Sequence, residues 1–244
     1  MSSTLFIIAI DWVMRQTTSD SNRGIRWSIH STLEDLDFAD DIAMLSHTHQ
    51  HIQEKTNRLQ NYAGQTGLNI NIKKTEIMTL NISRPSPVMS GEQELPNTNT
   101  FTYLGSVVST DDGAEADIQL RLCKARTAFK NLQTVWRSGQ YTIRTKLHLY
   151  RSCILPILLY GYECWRITER DQQKLSTFHT KSLRRILRIF WPQKISNEDL
   201  LNRCQQEHMA MIITKRLWKW IGHVLRKDQD NISRTALFWT PEGK

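Results

Sequence analysis

From Ala114 onward the hydrophobic spacing of this chain stays helical, whereas before it the period changes every few residues. Ile118, Leu122, Ala125, Phe129, Leu132 and Trp136 are spaced 4-3-4-3-4, a continuous apolar stripe along one helix face. Asp112 stands where it could cap that helix. A second helix is expected over 142–153, bent or ended by Pro156 before Tyr160. A third is expected over 169–190. At 100° per residue it puts Leu175, Leu183, Ile186 and Phe190 on one face and Lys181, Arg184, Arg185 and Arg188 on the other. A fourth, over 208–226, carries the stripe Ile213, Leu217, Trp220, Ile221 and Val224.

The first half reads differently. Residues 5–14 suggest a short buried helix, and Trp27-Ser28-Ile29, Leu36-Asp37-Phe38 and 42–45 suggest short extended segments. Residues 47–63 are polar and helical, with Ile52, Leu59 and Tyr62 inward and Gly64 and Gly67 at the end. Leu68-Asn69-Ile70-Asn71-Ile72 alternates as a half-buried strand does. Pro85, Pro87, Gly91 and Pro96 mark an exposed connection, and 101–108 a further strand or hairpin arm. The expected class is therefore α+β, a small mixed sheet followed by an all-α region, with a boundary near residue 113.

Charge divides at the same place. Residues 1–114 hold 8 Lys/Arg and 13 Asp/Glu (−5), and residues 115–244 hold 24 and 11 (+13). An acidic part joined to a strongly basic one suits a protein that handles polyanions, although a basic surface can also be inert. No apolar run approaches the roughly 18 to 20 residues of a membrane span, so no membrane partner is expected. Four cysteines spaced 30, 11 and 40 residues apart fit neither a zinc pattern nor a disulfide scaffold, and read as reduced intracellular thiols. His179, His208 and His223 with Cys204 make no zinc knuckle.

In the run from Leu36 to Leu45, the adjacent carboxylates Asp40 and Asp41 stand between two apolar arms. If the arms pair, both acids sit at a hairpin tip. Two charges about 4 Å apart repel by roughly 1 to 4 kcal/mol depending on screening. A hard divalent cation removes that cost, and Mg²⁺ commonly takes one or two carboxylates plus substrate phosphates. A solvated Asp-Asp turn is the plainer alternative.

Phe38-Ala39-Asp40-Asp41 resembles the aromatic-x-Asp-Asp box of reverse transcriptases, in the form used by non-LTR (LINE-type, RTE-like) retrotransposons. Further segments follow in that family's order. Gly67-Leu68-Asn69-Ile70-Asn71-Ile72-Lys73-Lys74-Thr75 is similar to the strand that carries a lysine near the incoming nucleotide. Phe101-Thr102-Tyr103-Leu104-Gly105 looks like the primer-grip hairpin. Asp117-Ile118-Gln119-Leu120-Arg121, Leu155-Pro156-Ile157-Leu158-Leu159-Tyr160-Gly161 and Trp220-Ile221-Gly222-His223-Val224-Leu225-Arg226 resemble the thumb and the later C-terminal region. Together these segments span nearly the whole chain, from about Leu5 to Asp228.

The resemblance implies a palm portion at 1–113, a helical thumb at 114–192 and a helical extension at 193–244. It implies Mg²⁺ (or Mn²⁺) at Asp40 and Asp41, Lys74 near the triphosphate, and Tyr103, Leu104 and Gly105 at the primer end. Lys181, Arg184, Arg185 and Arg188 would lie on the backbone of an RNA template and DNA primer, with dNTP as co-substrate. Such polymerases complete the site with a first aspartate from an earlier palm strand. Asp11 lies only 29 residues before Asp40, too few for the intervening elements, and is read as structural. The first aspartate, the fingers and any endonuclease domain are expected to be missing. The chain alone should then bind metal weakly and not polymerise, and it should reside in the nucleus or cytoplasm. The rival readings are a non-catalytic nucleic-acid-binding remnant and an inert relic.

Overall fold

The apolar run near the N-terminus forms a helix, but not a buried one. In the computed structural model, which describes residues 2–19, 22–27, 31–82, 85–111 and 113–240, α1 (Ser3–Thr17) buries only Val13, Met14 and Thr17. Leu5, Ile7 and Ile8 are more than half exposed. The chain divides into two units, residues 1–104 with 228–244 and residues 105–227.

In the first unit, β1 (Ile25–Arg26) pairs with β2 (Thr32–Leu33), and β3 (Asp35–Phe38) with β4 (Asp41–Met44), both antiparallel. Next comes α2 (His49–Gln65), whose N-cap Thr48 accepts from the amide of His51 at 3.2 Å. It packs on α1 through Ala63 and an edge-on contact of Trp12 with Tyr62. Where only an exposed connection was expected, β5 (Met89–Ser90) and β6 (Gln93–Glu94) form a hairpin about Gly91, with Val88, Ser90 and Leu95 buried. Gln53 of α2 holds that hairpin, its amide donating to Met89 O and accepting from Met89 N, both at 2.7 Å. β7 (Thr100–Tyr103) ends the continuous part of the unit.

Two expectations fail here. Among the described residues the small mixed sheet does not form: these pairs stay separate two-stranded ladders, with an isolated parallel bridge between Ile77 and Asn97. Nor do residues 68–72 make a strand. Asn71 O instead accepts from Lys74 N, Thr75 N and Thr75 Oγ1, closing a local turn. Among the described residues no strand lies beside this segment, and alternation without a partner ladder does not hold a strand. Ser28 and Ile29 of the expected 27–29 segment lie outside the described residues.

The second unit opens with β8 (Ser106–Ser109) and then is helical. The apolar stripe spans two helices, α3 (Glu115–Asn131) and α4 (Gln133–Arg137), broken at Leu132. Trp136 still reaches the stripe by stacking on Phe129 at 5.0 Å and donating to Phe129 O at 2.8 Å. Asp112 lies outside the described residues, and the cap position of α3 is Ala114. The expected 142–153 helix is α5 (Ile143–Leu149) running into a π-helical turn, Tyr150–Ile154, and α6 (Leu155–Leu158). Pro156 cannot donate a helical hydrogen bond, and the widened turn stands directly before it. α7 (Glu169–Leu187) starts in a capping box between Thr168 and Asp171. It ends earlier than expected because Arg188 is left-handed (φ 58°), so Phe190 misses the buried face and is exposed. α8 (Asn197–Cys204) and α9 (Met209–Leu225) follow. Ile118, Leu122, Ile154, Leu158, Leu175, Leu183 and Ile186 meet in one core, where Tyr150 Oη bonds His179 Nδ1 at 2.9 Å.

The chain then returns to the first unit. After α10 (Ile232–Phe238), Trp239 stacks on Trp27 at 5.4 Å and donates to Arg26 O at 3.1 Å. Residues 105–113 thus group with the helical unit, and the end of the chain groups with the first. Every described element after residue 113 is helical, and no described helix is long and apolar enough to cross a membrane.

Candidate active site and nucleic-acid interface

The Asp-Asp segment folds as its pattern demands. Phe38 pairs with Asp41, Asp37 with Ile42, Leu36 with Ala43 and Asp35 with Met44, leaving Ala39-Asp40 as a two-residue turn. Ala39 takes the left-handed conformation (φ 57°) that such tight turns require. Asp40 and Asp41 are both exposed at the tip.

What fixes the hairpin is a residue that pattern reading did not single out. Lys55 of α2 is 1% exposed and donates to Glu34 O at 3.0 Å and Leu45 O at 2.7 Å, the two residues flanking the strands. It also pairs with Glu34 Oε2 at 2.5 Å. Burial opposes ionisation of Glu34, but hydrogen bonds from Lys55, Gly24 and Asn22 outweigh it and hold the carboxyl below its ordinary pKa. A signal did exist in the sequence: Ile52, Lys55, Thr56 and Leu59 share the i, i+3, i+4, i+7 row of an inward face.

Residues directly opposite in an antiparallel ladder share a face. Asp41 therefore lies with Leu36 and Phe38, and Asp35 and Asp37 lie on the other face. Burial first, then the charge and hydrogen bond of Asp35 and the charge of Asp11, push Asp37 up to about 7. Asp35 is also raised, by burial first. Tyr103 of β7 donates to Leu36 O at 3.1 Å, and burial followed by Asp37, Asp41 and Asp35 raises its pKa. Asp11 is exposed and paired with Arg15 at 2.9 Å, and its charge reaches Asp37.

Lys74 is exposed on its turn, and no described ion pair joins it to Asp40 or Asp41. Leu104 (φ 48°) and Gly105 (φ 81°) are both left-handed, the backbone of a tight reversal. Within the second unit, Arg121 donates to Gly105 O and, at 3.3 Å, to Ser106 Oγ, with its guanidinium 4.3 Å from the centre of the Tyr160 ring. Asp117 pairs with Arg121, accepts from Val107 N at 3.1 Å and accepts from Trp165 Nε1 at 2.8 Å. Gly161 is left-handed, and a Cβ there would sit 2.5 Å from Ser106 Oγ. This cluster, drawn from three of the motif segments, fixes the residues that follow the Leu104-Gly105 turn.

The four expected backbone cations differ in their surroundings. Lys181 and Arg185 are exposed. Arg184 instead donates to Ile195 O at 3.1 Å and Asn197 Oδ1 at 2.8 Å, and Arg188, beyond the helix, donates to Arg137 O. Lys146, buried beside them, caps the end of α4 through Trp136 O and Ser138 O, and burial and then Arg188 lower its pKa.

Asp40 and Asp41 are hard oxygen donors of the kind that takes one Mg²⁺ together with water and phosphate. Among the described residues no three His, Cys, Asp or Glu side chains gather as a metal site. The cysteines are free thiols, with Cys123, Cys153 and Cys164 exposed and Cys204 buried.

Residues 1–108 match the family model described as reverse transcriptase (RNA-dependent DNA polymerase). The first unit is similar to reverse transcriptases. The matched segment contains the Asp40-Asp41 hairpin, its Lys55 lock and the Leu104-Gly105 turn. An uncharacterized transposon-derived protein of Caenorhabditis elegans is 25% identical over 217 residues, covering 86% of this chain and 77% of that protein. A match of that length extends well into the helical unit.

Proposed function

We propose that this chain is the palm-and-thumb part of an RNA-directed DNA polymerase from a non-LTR, RTE-like retrotransposon. The parent reaction adds dNTPs to a primer 3′ end on an RNA template. The observation that carries the reading is the Asp40-Asp41 tip, held by the buried Lys55 lock, inside the segment similar to reverse transcriptases.

Asp40, with Asp41 beside it, is the proposed ligand of Mg²⁺ or Mn²⁺. Neutralisation of charge on the attacking and leaving oxygens is what a bound cation would supply there. Lys74 adds positive charge near the triphosphate or donates a proton to the departing pyrophosphate. Tyr103, Leu104 and Gly105 position the primer end, Tyr103 being tied to the catalytic hairpin through Leu36. The helical unit, with 22 Lys/Arg against 10 Asp/Glu (+12), grips the template–primer duplex by its backbone without reading sequence. The chain works inside the cell, in the nucleus or cytoplasm, where its four thiols stay reduced.

The chain alone does not polymerise on this reading. Two-metal phosphoryl transfer needs carboxylates on both sides of a metal pair held rigidly about 3.5 to 4 Å apart, and among the described residues no such set gathers. The charge of the helical unit also suits a second reading, a non-catalytic remnant that binds nucleic acid through that unit. Primer extension on a primed RNA template separates the two. Neither chain nor Asp40→Asn variant should extend the primer alone. Added to an upstream fingers-and-palm segment of a related element, the chain should restore extension that Asp40→Asn abolishes. Failure of that complementation by a well-folded chain leaves the binding-only reading.

A further inference from the structure

Between α3 and α7 lies a trough of about 480 Å³ whose lining holds five basic side chains and no carboxylate. Arg170, Lys174, Lys181 and Arg185 come from α7 at spacings of four, seven and four, which keep them on one row of the helix. Arg126 faces them from α3. Lys174 is already neutralised, by Glu115 at 2.7 Å and Asp171 at 3.1 Å. The other four make no ion pair or side-chain hydrogen bond among the described residues.

Four unpaired cations around one trough repel one another, and a polyanion relieves that repulsion better than scattered counter-ions do. The floor decides which polyanion. Phe129 and Phe178 are 5% and 8% exposed, so neither offers a ring face for base stacking, on which single-strand binders rely. What remains is the phosphodiester backbone. From Arg170 to Arg185 the row is about 22 Å long at 1.5 Å per residue. That length spans several phosphates of one duplex strand.

We propose that this trough grips one strand of a nucleic-acid duplex through Arg126, Arg170, Lys181 and Arg185. The proposal rests on the reading above for the nature of the polyanion, and it removes Arg184 and Arg188 from the grip because both are occupied within the chain.

The test is binding of a fluorescent 20-base-pair RNA–DNA duplex by the full chain between 50 and 200 mM KCl. Four lost contacts lower the salt slope by about 3.6, so that over this range wild type loses affinity about a hundredfold more than Arg126→Ala/Arg170→Ala/Lys181→Ala/Arg185→Ala. The same set with each Arg→Lys and Lys181 kept should hold the wild-type slope, which separates charge from damage to the fold. Arg184→Gln/Arg188→Gln should shift the slope by less than one. An unchanged slope in the quadruple Ala variant overturns the trough, as does an equal loss in the Arg184/Arg188 variant. Tighter binding of the matching single strand than of the duplex overturns the choice of ligand. Primer extension reads a different step, so failure here and failure of the polymerase reading are distinguishable.

Discussion

The two units have nearly equal length and very different interiors. Of the buried apolar residues among those described, Val13, Met14, Ala63, Val88 and Leu95 belong to the first unit and the other 22 to the second. The second unit is held by a continuous core of helix faces. The first depends more on directed polar locks: Lys55 on Glu34 and Leu45, Gln53 on Met89, and Tyr103 on Leu36. Locks of this kind fix a hairpin tip sharply with little buried surface, but each one matters more. Burial of charge makes that asymmetric, since removing one partner leaves the other uncompensated.

The largest effect should come from Lys55→Met, which strands the buried Glu34 and costs about 3 to 5 kcal/mol. Hydrogen exchange should show the amides of β3 and β4 opening while those of α3 and α7 keep their protection. Equal loss in both units would break the comparison. In the other unit, Leu183→Ala removes a fully buried side chain and should cost about 3 kcal/mol. Its exchange pattern should be the mirror image, with α3 and α7 weakened and the hairpin unchanged.

The two units should also answer pH in opposite directions. Asp37 has a raised pKa in the folded state, about 7, so the folded first unit holds a proton that the unfolded chain releases. The associated stability is present below the ordinary carboxylate range and is lost as pH rises toward 7. His179 is pushed down to about 4 by burial. The unfolded chain therefore binds the extra proton between about 4 and 6.5, and the second unit weakens as pH falls through that window. Exchange measured at pH 5 and pH 7 should show the hairpin amides better protected at 5 and the α7 amides better protected at 7. Carboxyl NMR on Asp35→Asn should find the Asp37 midpoint lower than in wild type.

The smallest change is Thr168→Ala, which removes the N-cap of α7 and should lower the melting free energy of the second unit by about 1 kcal/mol. A loss several times larger would mean that the Asp171 and Lys174 contacts behind this cap depend on it.

Legibility in the sequence followed the same divide. Helical period survives wherever a core repeats it, so the stripe from Ile118 to Trp136 and the inward face of α7 could be read directly. It failed where the backbone turned: Arg188 leaves the helix, which exposes Phe190 and sends the Arg188 side chain to Arg137 O. In the first unit, the Asp40-Asp41 hairpin was legible because two short apolar arms flank the acidic pair. Lys55 was not, because a lysine in an inward row reads as polar surface unless its partner, 21 residues earlier, is already known. Residues 68–72 alternated as well as any strand, but among the described residues no ladder partner stands beside them. The apolar face of α1 has the composition of a core and lies largely open.

The central claim is that the hairpin tip is one half of a metal site. Mn²⁺ titration followed by amide line broadening tests it at the atoms concerned. The account predicts weak, single-site broadening centred on Ala39, Asp40 and Asp41, lost in Asp40→Asn/Asp41→Asn, with α7 untouched. Broadening that ignores that double substitution, or tight binding of two ions per chain, would contradict it.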